Sequence, residues 1–283
     1  MHFVKMHGLG NDFVLVNALE EKEQELGDLP TLARRVCHRR FGIGADGLIL
    51  VLPSARADLR MRIFNPDGSE PEMCGNGIRC FARYAYEEGL VRGPEIQVET
   101  LAGIIKPRLI LNGNKVAGVR VDMGEPRLER GQIPMAGEGS PVVDEPVTAA
   151  GTTWRGTCVS MGNPHCVFFV EDVAGAPVTT VGPAVENHPL FPQRTNVEFI
   201  EVLNRGELKM RVWERGAGET MACGTGACAA AVAGVLTGRS NREVTVHLAA
   251  GDLQIEWSRE NNHVYMTGPA VEVFRGHFPL HEE

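Results

Sequence analysis

The sequence predicts an α/β (α+β) fold built from two duplicated lobes. Cys74 opens a Cys-Gly-Asn-Gly turn and Cys223 opens a Cys-Gly-Thr-Gly turn, 149 residues apart in a chain of 283. At the same offset, the alternating basic and apolar residues 60–64 match residues 209–213, as expected for two equivalent strands. A period of this length is too long for a solenoid repeat and indicates a duplicated domain.

Apolar periodicity and turn signals place the individual elements in each half. In the first half, strands are predicted near residues 2–7, 13–17, 47–52, 59–64, 95–101, 104–111 and 115–122. In the second half, they are predicted near residues 156–161, 165–170, 197–203, 207–213, 243–248, 252–258 and 263–266. Helices are predicted near residues 30–38, 75–89, 182–187 and 224–237, and the second and fourth of these follow the two cysteine turns.

Domain limits follow from the repeat and from one change of composition. The stretch 124–150 is rich in Gly, Pro and Glu, which predicts a linker and a surface loop. We therefore expect a first lobe of residues 1–123 carrying Cys74 and a second lobe of residues 124–268 carrying Cys223. A last strand near 270–275 is expected to return to the first lobe, which then includes about 269–283. The active site is expected in the cleft between the lobes.

Composition excludes several classes of protein. A hydrophobic content of 43% and a charged content of 23% are ordinary for a soluble globular protein. The net charge of −8 argues against a nucleic-acid-binding protein. No apolar run approaches the ~18 residues of a membrane helix, and none at the start suits a signal peptide. Seven cysteines without a disulfide spacing favour reduced thiols and a cytoplasmic location.

Each cysteine turn has the features of an anion site that also activates sulfur. A helix N-terminus leaves unpaired N–H groups and carries the positive end of the helix dipole. Such an end suits a carboxylate, and it can lower the pKa of a cysteine from ~8.5 to roughly 3.5–7.5. Two equivalent thiols facing one pocket suit chemistry in which a proton leaves one face of a carbon and returns on the other. No motif for pyridoxal phosphate, nucleotide or metal is present, so we expect no cofactor.

Several long motifs resemble the diaminopimelate epimerase family, and together they span nearly the whole chain. They are residues 73–80 around the first cysteine, 214–226 around the second, and the segments 5–13, 162–165 and 195–199. The resemblance implies a curved mixed or antiparallel sheet around a central helix in each lobe. It also implies an isomerase that converts L,L-diaminopimelate to meso-diaminopimelate for lysine and peptidoglycan synthesis. A small-molecule substrate, no cofactor and a homodimer are implied as well.

The resemblance also implies roles for individual residues. Cys74 matches the thiol donor and Cys223 the thiolate acceptor in the L,L to meso direction, and His165 and Glu214 match groups that assist the thiols. The matched substrate-binding positions are Asn11, Asn65, Gly75, Asn76, Asn163, Asn196, Glu214, Arg215, Gly224 and Thr225. One departure is Gly47, which follows Asp46 where the family often has glutamine.

Structural explanations compete with these roles. A single cysteine at a helix start is most often a small buried residue, but two at duplicated positions favour catalysis. His165 fits a structural histidine as well as an active-site helper. A structural role is expected for the remaining cysteines, namely Cys37, Cys80, Cys158, Cys166 and Cys228. Three arginines, Arg62, Arg79 and Arg83, are expected to be solvated or fold-stabilising charges rather than ligands.

Three other functions stay open. A related proline or hydroxyproline racemase typically has histidine after the first Cys-Gly, where this chain has Asn76. This chain also has Arg215, which suits a second substrate carboxylate that proline lacks. A phenazine-pathway isomerase of the same fold generally uses a carboxylate in place of cysteine. A thiol redox or binding protein is favoured by a Cys-x-x-Cys motif, which the sequence lacks.

Overall fold

The chain folds into two compact units, each with its own core. The structure, a computed structural model, describes residues 1–19, 23–113 and 115–280. The first unit comprises the described parts of Met1–Val121 and Gly268–Glu283, and the second comprises Asp122–Thr267. Within the described residues, every helix is too short or too polar to reach across a membrane.

Eighteen strands and four α-helices occur in the described residues. The chain begins with β1 (His2–Gly8), β2 (Asn11–Asn17), α1 (Leu29–Cys37), β3 (Gly47–Leu52), β4 (Leu59–Phe64), α2 (Gly75–Glu87), β5 (Val98–Thr100), β6 (Gly103–Ile105), β7 (Arg108–Asn112) and β8 (Lys115–Asp122). It continues with β9 (Glu145–Ala149), β10 (Thr152–Ser160), β11 (Pro164–Val170), α3 (Val178–Glu186), β12 (Asn196–Asn204), β13 (Glu207–Glu214) and β14 (Gly218–Thr220). The last elements are α4 (Gly224–Leu236), β15 (Glu243–Leu248), β16 (Gly251–Trp257), β17 (Val264–Gly268) and β18 (Val271–His277).

The two units repeat one pattern of strand pairing. In the first unit the order is β18-β1-β2-β3-β4-β5-β6, paired antiparallel, antiparallel, parallel, antiparallel, parallel and antiparallel, and β7 pairs with β8. In the second unit β9-β10-β11-β12-β13-β15-β16 repeats the same series, with β17 added to β16 and β14 to β13. The duplication predicted from the sequence is therefore confirmed in the topology.

An ion pair is repeated together with the strands. Arg62 Nε lies 2.7 Å from Glu70 Oε1 in the first unit. Arg211 Nε lies 2.8 Å from Glu219 Oε1 in the second unit, at the same offset of 149 residues. All four side chains are partly buried, so each pair ties the end of a central strand to the segment that leads to its cysteine. The predicted structural role of Arg62 is confirmed.

Helices cover both faces of the central strands. All residues of β3 are buried, which is expected when neither face meets water. Leu48 and Leu50 belong to the core cluster that also contains the buried side chains of α1. On the other face, the Ile49 methyl group lies 3.1 Å from the place where a Cβ on Gly77 of α2 would sit. The helix that carries Cys74 is thus held directly against the sheet.

The helix α4 is enclosed by the sheet of the second unit. Its residues from Gly226 to Gly234 are all buried, including the alanines 229–231 and Ala233. A helix that is apolar on every side is a buried helix. Its small side chains let strands approach closely.

The prediction was wrong for three segments. The stretch 124–150 is not only linker and loop, because it contains β9, in which Val147 and Ala149 are buried, and a short 3₁₀ helix, Arg130–Gln132. The strand predicted at 104–111 is divided into β6 and β7 by Pro107, which has no N–H to donate to a ladder. The helix predicted at 182–187 begins four residues earlier, because Pro183 lies inside α3 rather than at its start.

The cysteines predicted to be structural are confirmed as buried side chains. Cys37, Cys80, Cys158, Cys166 and Cys228 are each at most 2% exposed. Burial raises the pKa of the Cys80 thiol to about 12, so this sulfur is a poor nucleophile at neutral pH. Cys158 and Cys166 face each other across β10 and β11 as free thiols.

Candidate active site

The two repeated cysteines occupy the same position in the two units. Cys74 is the N-cap of α2, with φ of −139°, and Cys223 is the N-cap of α4, with φ of −129°. The N–H of Gly77 donates to Cys74 Sγ at 3.5 Å. The first-turn N–H groups of each helix, which have no partner within the helix, lie directly after the sulfur. Each sulfur therefore stands beside a set of donors suited to a carboxylate.

Close packing beneath the second cysteine requires glycine. A Cβ on Gly226 would lie 2.8 Å from Glu198 Oε1 and 3.3 Å from Cys223 Sγ. Contacts this short force the carboxylate or the sulfur to move. The second glycine of the Cys-Gly-x-Gly turn therefore holds Cys223 and Glu198 in close contact.

The variant Gly226→Ala is expected to lower the turnover number by at least about tenfold, because overpacking of about 1–3 kcal/mol falls directly on Cys223 and Glu198. Steady-state kinetics and thermal unfolding measure the effect. The control is Gly131→Ala, where nothing lies within 4 Å of the added Cβ. Equal activity in the two variants would show that close packing at Gly226 does not affect activity.

In the first unit, a chain of amides leads to Cys74. Cys74 Sγ lies 3.9 Å from Asn11 Oδ1, and the Asn76 side chain donates to the same oxygen at 3.0 Å. The other end of the Asn11 amide donates to Asp46 Oδ2 at 2.9 Å. Because the carboxylate accepts the N–H group, Asn11 turns its carbonyl oxygen toward the cysteine.

Ion pairs stabilise the carboxylate that binds Asn11. Arg39 contacts both Asp12 and Asp46, at 2.8 Å and 2.7 Å, and Lys5 lies 2.7 Å from Asp12. Burial alone would raise the pKa of Asp12, but hydrogen bonds from Arg39 and Lys5 lower it to about 2. Asp12 is therefore ionised at neutral pH and helps to anchor the loop that carries Asp46.

In the second unit, a longer chain of hydrogen bonds leads to Cys223. Cys223 Sγ lies 3.5 Å from Thr225 Oγ1, to which the Asn163 amide donates at 3.2 Å. Asn163 Oδ1 lies 3.0 Å from His165 Nε2, and His165 Nδ1 lies 2.6 Å from Glu198 Oε1. His165 and Glu198 are both fully buried. The histidine therefore bonds to an amide and a carboxyl group, and Asn163 and Thr225 connect it to the thiol.

Burial opposes ionisation of the second thiol in the free protein. Burial raises the pKa of Cys223 well above its ordinary value, and the negative charges of Glu214 and Glu198 raise it further. The Thr225 hydroxyl and the Gly226 N–H act in the opposite direction by hydrogen bonding to the sulfur. A thiolate at Cys223 therefore depends on those donors and on any positive charge that a ligand brings.

Three predicted substrate-binding residues lie close together: Asn196 at the start of β12, Glu214 at the end of β13, and Arg215 directly after it. Asn196 Oδ1 accepts the backbone N–H of Arg215 at 2.9 Å, and Asn196 Nδ2 donates to Pro164 O at 2.8 Å. The exposed Arg215 side chain donates through Nη1 to Gln193 O at 3.1 Å. Glu214 accepts a short hydrogen bond from the Thr220 hydroxyl. Asn196 thus fixes the backbone from which the Arg215 guanidinium extends.

The structure groups most of the predicted site residues within each unit. The first unit brings together Asn11, Cys74, Gly75 and Asn76, and Asn65 lies in the turn after β4, where it donates to Ser69. The second unit brings together Asn163, His165, Asn196, Glu214, Arg215, Cys223, Gly224 and Thr225.

Two site features were not fully predicted from the sequence. Glu198 was missed, and its only signal is an acidic residue inside an apolar strand. At position 47, a Cβ would lie 3.1 Å from Phe64 O, so the backbone there leaves little room for the side chain expected from the family.

Comparisons with known proteins identify relatives along the whole chain. A model of the family described as diaminopimelate epimerase matches residues 3–129 and 157–273. A protein named diaminopimelate epimerase from Moorella thermoacetica is 85% identical over 280 residues, covering 99% of this chain and 100% of that protein. Another of the same name from Pelotomaculum thermopropionicum is 63% identical, covering 99% of each chain.

Solved structures at low identity support the fold. A phenazine biosynthesis protein of the PhzF family from Bacillus anthracis has a TM-score of 0.70 at 18% identity, covering 98% of each chain. A probable proline racemase from Agrobacterium radiobacter K84 has a TM-score of 0.67 at 15% identity, covering 99% of this chain and 93% of the other. The predicted class, two duplicated lobes with a mixed sheet around a central helix, is confirmed.

Proposed function

The chain belongs to the diaminopimelate epimerase family, and we propose that it interconverts L,L- and meso-diaminopimelate by proton transfer between two thiols, without a cofactor. The observation that carries this proposal is the repeated N-cap cysteine, one in each unit, with equivalent first-turn donors beside each sulfur. A reaction that removes and returns a proton on opposite faces of one carbon needs two such groups.

In the proposed mechanism, the α-carboxylate of the substrate binds to first-turn N–H groups that follow the catalytic cysteines. The thiolate of Cys223 removes the α-proton of the L,L-isomer, and the thiol of Cys74 delivers a proton to the opposite face. Negative charge develops on the α-carbon and its carboxylate, where the helix N-termini stabilise it. The reverse reaction exchanges the two roles.

Nearby groups explain how Cys223 becomes a thiolate. Glu214 acts electrostatically on Cys223, so it is the group we assign to accept the thiol proton or to pair with the substrate ammonium group. The substrate brings a positive charge next to the sulfur, which lowers the pKa of a thiol. His165 lies further away along the hydrogen-bond chain, and it acts through Asn163 and Thr225.

The distal half of the substrate distinguishes this reaction from proline racemisation. Diaminopimelate carries a second carboxylate, which a guanidinium can bind with two hydrogen bonds. We assign this contact to Arg215, because only its Nη1 atom is engaged with Gln193 and the side chain is exposed. Asn11, Asn65, Asn163 and Asn196 are the remaining polar groups that we assign to the substrate.

The decisive assay uses pure protein and L,L-diaminopimelate in deuterated water with no added cofactor. We expect conversion to the meso isomer, with one deuterium incorporated at the inverted α-carbon. The same protein is expected to leave L-proline unchanged. Racemisation of proline, or no reaction of diaminopimelate with the folded protein, would contradict the proposal.

We also propose that the protein is a homodimer assembled through β18. Val273 is 55% exposed and Phe274 is 46% exposed on this strand, which pairs with β1 along one edge. Exposed apolar side chains on an edge strand are suited to pairing with another chain. Light scattering is expected to give twice the chain mass for the wild type and the single mass for Val273→Lys. A monomeric wild type would contradict the proposal.

A cytoplasmic location is proposed on the state of the cysteines. All seven lie within the described residues, and none of them forms a disulfide there. Free thiols persist in reducing compartments, and the proposed reaction requires two of them in reduced form. Cell fractionation followed by the epimerase assay is expected to find the activity in the cytoplasmic fraction, and recovery only from an oxidising compartment would contradict this.

A further inference from the structure

Asn11 begins β2 and Asn163 directly precedes β11, the corresponding strand of the second unit, and the two asparagines turn opposite ends toward the two cysteines. Asn11 presents its carbonyl oxygen to Cys74, because its amino group donates to Asp46. Asn163 presents its amino group to Thr225, the neighbour of Cys223 Sγ, while its carbonyl oxygen faces His165. The orientation of a side-chain amide follows from its hydrogen-bond partners, and here those partners differ between the units.

The contact with Asn163 fixes the proton on His165. Since Asn163 Oδ1 can only accept, the nitrogen 3.0 Å away, His165 Nε2, must carry hydrogen. One further proton is then shared between His165 Nδ1 and Glu198 Oε1, which are 2.6 Å apart. Whether that proton lies on the imidazole or on the carboxyl group, the pair is neutral overall and Nε2–H is retained. Both forms need Glu198 as the partner of Nδ1, so Glu198 supports the Nε2–H form of the histidine.

Burial supports a shared proton. Both side chains are fully buried, and Glu198 Oε2 is buried without a hydrogen-bond partner among the described residues. Burial raises the pKa of Glu198, because a lone carboxylate is costly away from water. Two further side chains act on Cys223. The Thr225 hydroxyl of α4 is a hydrogen-bond donor to the sulfur, and Glu214 of β13 is the second charged group.

The orientation of Asn163 determines whether Cys223 accepts a hydrogen bond from Thr225. Because the Asn163 amino group donates to Thr225 Oγ1, the hydroxyl proton is left to donate to Cys223 Sγ, 3.5 Å away. A donor stabilises the charged form of a thiol, whereas an acceptor stabilises the neutral form. Cys74 instead faces the Asn11 carbonyl oxygen. Both sulfurs also accept a backbone N–H, from Gly77 and Gly226, so the difference between them lies in their side-chain partners.

We propose that Glu198 and His165 are positioning residues that orient Asn163 and so support the thiolate of Cys223, while Asp46 orients Asn11 and supports the thiol of Cys74. This inference rests on the proposed function only for the assignment of the two cysteines as the acid and base pair. It gives the two cysteines different protonation states, a distinction that the repeated sequence alone does not contain.

The test compares Glu198→Leu with Glu198→Gln in the full-length protein without substrate. The ¹⁵N chemical shifts of the histidine rings report the tautomer of His165. Rates of iodoacetamide labelling, followed by peptide mass spectrometry at one pH, report the thiolate of each cysteine. In Glu198→Leu we expect mixed tautomers and a Cys223 to Cys74 labelling ratio about tenfold lower, because loss of a hydrogen bond to a charged group shifts a pKa by about one unit.

Glu198→Gln is expected to restore both readouts, since its amide can donate to Nδ1 and keep hydrogen on Nε2. Glu201→Leu, which removes a carboxylate from the same strand, is the matched control and should behave as the wild type. A single Nε2–H tautomer in Glu198→Leu, or faster labelling of Cys223 as expected from removing a like charge alone, would overturn the proposal. So would equal defects in the leucine and glutamine variants. No readout uses the substrate, so the result of this test does not depend on the result of the epimerase assay.

Discussion

Replacing either Cys74 or Cys223 with alanine is expected to lower the rate of epimerisation by at least about 10³-fold, because each variant lacks one of the two proton-transfer groups. Inversion requires removal of the α-proton on one face and delivery on the other, and alanine can do neither. The ordered first turn of each helix is retained, so substrate can still bind to its N–H groups. Conversion of L,L-diaminopimelate, followed by chiral chromatography, measures the loss.

Neither substitution should unfold the protein. Cys74 is only partly buried, and each substitution removes a single sulfur atom while the rest of the helix start is kept. Circular dichroism and thermal unfolding check that the fold is kept. Cys228→Ala provides the control, because this buried cysteine lies further along α4 and is expected to keep at least half of the activity. Near-normal turnover in either Cys74→Ala or Cys223→Ala would rule out the two-thiol mechanism.

Elements with strong local signals were predictable from the sequence. The strands around residues 47–52 and 59–64 are apolar or strictly alternating, and the structure places β3 and β4 at those limits. The helices after the cysteines begin at the residues predicted, Gly75 and Gly224, since the N-cap and the following glycines mark a helix start. The repeat predicted more than local structure, because it identified equivalent positions that are distant in the chain, such as Arg62 and Arg211.

Features that depend on tertiary contacts could not be predicted. β9 has only two buried side chains, Val147 and Ala149, and its neighbours are rich in Gly and Pro, so its pairing with β10 decides its conformation. Pro183 within α3 contradicts the usual position of proline at a helix start. The role of Glu198 is visible only when the parallel strands β11 and β12 bring it to His165. A single sequence contains no local signal for such a pair.

Arg215→Leu is expected to lower the specificity constant for diaminopimelate by about 10²–10⁴-fold, since hydrogen bonds to charged groups contribute about 1.5–3 kcal/mol each and two are lost. The loss should appear mainly in KM, because the proposed contact would hold the unreacting end of the substrate in the ground state and the transition state alike. Lysine at this position keeps the charge without the planar pair of donors, so Arg215→Lys should lie between leucine and the wild type.

Arg194→Leu separates this contact from the general positive charge of the loop. Arg194 directly follows Gln193, whose carbonyl oxygen Arg215 contacts. Its side chain is 55% exposed, and it contacts Glu186 at 3.3 Å. Its removal should change KM by less than about threefold, as is typical of a surface ion pair. If the Arg215 and Arg194 variants lost affinity equally, the loop would act only through its net charge. If Arg215→Leu kept the wild-type KM, the distal carboxylate would have to bind elsewhere, and the distinction from proline racemases would rest on the polar asparagines alone.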